Sequence, residues 1–150
     1  MRRFSFQFAS LLNIRKGRRN LCLQFLAQIL DSERELAMQK RRLEQTRRQQ
    51  LEQLRSLLVS GKVDIDGASA RRFYAGRLTA EIAAVERNQD VVAEQQTICR
   101  QALSRTDRDV KILEKLEEKH RAAFLYEEER RTARELEDAW ASGRQTERMR

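Results

Sequence analysis

Ala75, Leu78, Ile82, Val85, Gln89, Val92, Gln96, Cys99, Leu103, Thr106, Val110, Leu113, Glu117, His120 and Phe124 recur at alternating steps of three and four along the stretch 75–124. Ten of these fifteen are apolar, and the residues between them are mostly polar or charged. The step averages about 3.5 residues, the seam spacing of a left-handed coiled coil. Between Gly76 and Gly143 no Gly breaks the run, and the chain has no Pro. The stretch reads as one long helix that needs a partner along a narrow face.

Composition agrees. Aromatic residues make up 6% of the 150 and charged residues 36%, the balance of long helices rather than of a thick globular core. Disorder is the rival for so charged a chain, but it carries no such period. The net charge of +8 is unevenly placed: residues 1–60 hold 13 Lys/Arg against 5 Asp/Glu, while residues 61–150 hold 18 of each. The basic excess therefore lies on the first arm, where it is a solvated face or a surface for nucleic acid, acidic protein or anionic lipid.

A second stripe precedes the first. Ile29, Leu36, Leu43, Gln50 and Leu57 form one line and Leu23, Leu30, Ala37, Glu44, Leu51 and Leu58 the line beside it. Leu26 and Leu54 fall on the flank with Glu33, Lys40 and Arg47. Ser5 is the expected N-cap of a first helix over 5–60, weakened at Gly17. Residues 61–69 form the tip, with Asp66 or Ser69 capping a second helix over 70–141, and 142–150 form a disordered tail. Past Phe124 the apolar line drifts to Tyr126, Ala133, Leu136 and Trp140, which predicts a change of packing partner. The fold class is all-α: two long helices in one antiparallel coiled-coil hairpin, since so short a tip forces the second helix back along the first.

With the fold-back near residue 65, Cys22 lies level with about residue 108 and roughly 13 Å from Cys99, beyond the reach of a disulfide. Both read as reduced packing residues. No segment approaches the ~20 apolar residues of a membrane span. The opening Met1-Arg2-Arg3 followed by Phe4 to Ile14 is too diluted by Ser5, Gln7, Ser10 and Asn13 for a signal peptide, and is expected to be retained in the cytoplasm.

The chain carries no phosphate loop, HExxH, CxxC or nucleophile elbow. Its one histidine, His120, falls on the seam, where packing explains it. Glu127-Glu128-Glu129 point around a helix axis and do not converge on a metal. The expectation is a protein with no catalytic, cofactor or metal residues and no small-molecule substrate.

Phe4-Ser5-Phe6-Gln7-Phe8, then Leu11-Leu12 and Arg15, resembles the opening of the FliJ family, small coiled-coil proteins of flagellar type III export. Leu113 to His120 (LEKLEEKH), Glu127 to Arg131 (EEERR) and Glu135 to Asp138 (ELED) resemble that family's C-terminal pattern. Two departures are Gly17-Arg18-Arg19 after the opening motif and Phe8 where the family has an aliphatic residue. The resemblance implies a cytoplasmic component, peripheral on the inner membrane, shaped like the central stalk of rotary ATPases. Its implied partners are a hexameric export ATPase, the cytoplasmic domain of the export gate, and export chaperones.

Under that resemblance the ATPase-ring end is Phe4, Phe6, Phe8, Arg130, Arg131, Arg134, Leu136 and Trp140, with Arg2 and Arg3 beside them. Phe6 is expected to be exposed or to pack near Leu136 and Trp140. Phe73, Tyr74 and Leu78 are the expected gate contact. A virulence type III stalk, a generic cytoplasmic coiled-coil adaptor and a basic nucleic-acid-binding coiled coil are the alternatives. The last lacks aromatics interleaved with its arginines, so no base-stacking platform is evident.

Overall fold

The structure, a computed structural model, describes residues 3–59, 61 and 64–148. Two helices account for nearly all of them: α1, Ala9–Val59, and α2, Ile65–Arg148, of 51 and 84 residues. They pack antiparallel, and the described residues contain no strand. The all-α hairpin read from the two stripes is the observed fold.

The chain clusters into two compact units, one of residues 1–20 with 104–150, the other of 21–103. In the first, Phe6, Leu12, Val110 and Leu113 form a buried cluster, with Phe4, Phe8 and Leu116 packed against it. In the second, Ala75, Leu78, Ile82 and Val85 are the buried residues of α2. All fifteen positions of the 3–4 line are buried or half-buried.

The α1 side of the seam differs from expectation. Leu23, Leu51 and Leu58 are exposed, whereas Leu26, Lys40, Arg47 and Leu54 are half-buried. Leu30, Ala37 and Glu44 are half-buried as expected and Glu33 is exposed, so the seam beside Ile29, Leu36, Leu43, Gln50 and Leu57 draws on both the expected line and its flank. Lys40 and Arg47 can sit there because their stems cover apolar surface while their ends reach polar partners. Lys40 Nζ lies 2.8 Å from Glu86 Oε1, and Arg47 donates to Thr79 Oγ1 at 3.4 Å.

The element boundaries also shift. α1 starts at Ala9 rather than Ser5, and Ser5 does not cap it: the Ala9 N–H donates to the Phe6 carbonyl at 3.1 Å and the Leu12 N–H to that of Phe8 at 2.9 Å. Gly17 does not interrupt the helix. α2 starts at Ile65, capped by Asp64, whose carboxylate accepts the Gly67 N–H at 3.1 Å and whose carbonyl accepts that of Ala68 at 2.9 Å. Asp66, expected as a cap, lies in the first turn, where its charge suits the helix dipole. Ser69 is further inside the helix. Gly61 takes φ +69°, a left-handed conformation that ends a helix readily. The expected tip residues Lys62 and Val63 lie outside the described residues.

α2 runs through Gly143 to Arg148, in place of the disordered tail from 142; Met149 and Arg150 lie outside the described residues. One Gly costs about 1 kcal/mol in a helix and need not end it.

The register is closer than the expected fold-back gave. The contacts Lys40–Glu86 and Arg47–Thr79 have their midpoints at residue 63, and Gln50–Arg71 between 60 and 61. The turn thus centres a few residues before 65. As a result Cys22 and Cys99 meet, with the Cys99 thiol 3.5 Å from the Cys22 carbonyl oxygen, rather than standing 13 Å apart.

Candidate interaction surfaces

Exposed side chains are the feature of this structure that bears on function. Among the described residues no group of three or more His, Cys, Asp or Glu could hold a metal ion, and no helix is long and apolar enough to cross a membrane. Its candidate sites are exposed apolar side chains on otherwise polar helices.

In the unit of residues 1–20 with 104–150, the three N-terminal phenylalanines turn inward. Phe6 is 7% exposed and packs edge-on to His120 and Phe8, each at 5.7 Å between ring centroids. Phe4 meets Phe124 at 5.7 Å, with the Arg121 guanidinium 5.4 Å above its ring. Both expected placements of Phe6 are overturned. It is neither exposed nor near Leu136 and Trp140, because the register brings it level with His120. Residues 3–8 precede the helix, so its period of 3.6 does not set the directions of Phe4, Phe6 and Phe8. The expectation assumed a helix, in which Phe6 would turn away from its neighbours. Arg2 lies outside the described residues, and Arg3 is exposed.

Three ion pairs tie this arm to α2: Arg15–Asp109 at 2.6 Å, Lys16–Glu114 at 3.2 Å and Arg19–Asp107 at 3.7 Å. Asp107 also binds Lys111 at 2.7 Å, and that hydrogen bond is the main cause holding its carboxyl below the usual range.

Further along α2 the apolar residues face solvent. Leu125, Tyr126, Leu136 and Trp140 are all more than half exposed. The drift of the apolar line past Phe124 therefore leads outward, and buries these residues against no new partner among the described residues. Ile112, Lys119, Tyr126, Ala133 and Trp140 stand seven residues apart and are all exposed. Tyr126, Ala133 and Trp140 of this outer line belong to the drift that the sequence shows, and Ile112 and Lys119 extend it back beside the seam. The arginines divide. Arg130 and Arg134 are exposed, while Arg131 is held by Glu128 at 2.6 Å and Glu135 at 3.5 Å. Arg130 stacks on Tyr126 at 5.8 Å and Arg144 on Trp140 at 4.4 Å, so both of these rings carry a cation.

In the unit of residues 21–103, Phe73 is 74% exposed and Tyr74 is partly so, but Leu78 is buried in the seam. Leu78 thus leaves the expected contact set and anchors the helix that presents the two rings. Arg71, one turn earlier on the side facing α1, donates to Gln50 at 3.4 Å and to Gln53.

No curated protein and no solved structure matches this chain. A family model does: that of the flagellar FliJ protein matches residues 4–145, nearly the whole length. With the paired helices and the terminal motifs already in place, the chain belongs to the FliJ family and is a component of the flagellar export apparatus.

Proposed function

We propose that this protein is a non-enzymatic stalk and adaptor of flagellar export, acting in the cytoplasm at the inner face of the membrane. In this reading the α2 segment around Leu136 and Trp140 enters the pore of the hexameric export ATPase. Phe73 and Tyr74 meet the cytoplasmic domain of the export gate, and other exposed faces receive chaperones. Exposure of Leu136 and Trp140 beside Arg130, Arg134 and Arg144 is the observation that carries the ring assignment. Large rings and arginines are the side chains that dominate protein interfaces, and positive charge steers a helix toward an acidic pore. Phe4, Phe6 and Phe8 support this end from within, by holding the first arm against α2, rather than by touching the ring.

The double variant Leu136→Ala/Trp140→Ala tests the ring assignment. It is expected to lower stimulation of the export ATPase at least about tenfold at limiting stalk concentration, the loss of one good interface anchor pair. Its helical melting curve should stay unchanged, because neither side chain is buried. Full stimulation would move the ring contact elsewhere on the chain. For the gate, Phe73→Ala should weaken binding without unfolding, whereas Leu78→Ala should destabilise the helix pair.

A further inference from the structure

Cys22 and Cys99 are the only cysteines in the chain, and 77 positions separate them. The fold sets them against each other across α1 and α2, within the unit of residues 21–103. The Cys99 thiol donates to the Cys22 carbonyl oxygen at 3.5 Å. Covalent geometry then limits the separation of the two Cα atoms to about 9 Å at most. A disulfide spans about 4.4–6.8 Å between Cα atoms, so a modest approach of two helices suffices. Both residues are half-buried and carry no disulfide, so a small oxidant can reach them.

We infer that Cys22 and Cys99 form a modification site: an interhelical disulfide made by exchange with a small-molecule disulfide such as glutathione disulfide. One protein thiolate attacks a sulfur of glutathione disulfide, and one glutathione thiolate leaves. The second protein thiolate attacks the protein sulfur of this mixed disulfide and displaces the tripeptide. Two protein thiols lose two electrons and two protons, and one glutathione disulfide becomes two glutathiones. The product is a hairpin stapled between α1 and α2, unable to open or slide at that level. A dithiol reductant reverses it.

The test treats the full-length protein with glutathione disulfide under native conditions and in concentrated urea. Mass spectrometry and non-reducing peptide mapping follow the products. The expected product is a monomer that has lost two hydrogen atoms, with one peptide pair linking Cys22 to Cys99. It should form at least about tenfold faster in native buffer than in urea, because the fold raises the effective concentration of one thiol at the other. Cys22→Ser and Cys99→Ser should each stop at a single mixed disulfide. The staple should raise the helical melting temperature by on the order of 10 °C, and dithiothreitol should remove the rise. Persistent mixed disulfides on both cysteines in the native protein overturn the inference. So do disulfide-linked dimers, a rate no faster than in urea, or a melting temperature that fails to rise.

Discussion

Phe6 and Phe73 show how much a residue's place outweighs its type: one is 7% exposed, the other 74%. Truncating a buried phenylalanine costs both its transfer free energy and that of the cavity left behind. Phe6→Ala should therefore lower stability by about 3 kcal/mol in urea unfolding, whereas Phe73→Ala should stay within about 0.5 kcal/mol of the parent. The spacing of Phe4, Phe6 and Phe8 was visible, but its period of two was read through an assumed helix. Lys40 and Arg47 were hidden for another reason. A charged residue carries no apolar signal, and what admits it to a seam is a long stem with a partner at its tip. Those partners, Glu86 and Thr79, lie far off in sequence. Pattern reading along one helix cannot find them.

Elements were legible in their existence and pairing, and less so in their ends. The 3–4 period survives single exceptions because fifteen positions vote together, whereas a helix end rests on one or two side chains. At the start of α2 three acceptors compete within six residues, and Asp64 takes the role expected of Asp66 or Ser69. Asp64→Ala should cost about 1 kcal/mol in thermal or urea unfolding, the usual loss of an N-cap, and Ser69→Ala clearly less. Gly17 gives the opposite sign. It lies inside α1, and a methyl group there would meet nothing within 4 Å. Gly17→Ala should stabilise the protein by about 1 kcal/mol, measured in the same way. The exposed surfaces were the least legible part of the site, because an apolar residue such as Leu136 signals a need for cover without showing whether the fold supplies it.

At the scale of the whole molecule, the charge surplus of the first 60 residues is partly answered by carboxylates on α2. Such exposed pairs are each worth little, but they make stability depend on pH and salt. Glu86 is held below the usual carboxylate range mainly by its hydrogen bond from Lys40, and Asp107 by that from Lys111. Lowered values mean that their contribution is present above the ordinary carboxylate range and fades as pH falls through the lowered ones. Lys40 is raised by the same bond to Glu86, so its share is present below the ordinary lysine value and fades as pH rises past the raised one. Melting temperature should accordingly be flat around neutrality and fall on the acid side. Glu86→Gln should reduce that acid fall, and an unaltered profile would show the pair to be silent. The same two seam cations have a kinetic consequence. An apolar seam that repeats every seven residues tolerates a slip of one heptad with little apolar loss. Slipped one way, Arg47 would face Glu86 but Lys40 would face Ala93; slipped the other way, Lys40 would face Thr79 and Arg47 would face Arg72. Neither misalignment leaves both cations answered, so a chain that zips up wrongly holds a charge against methyl or guanidinium and comes apart to try again.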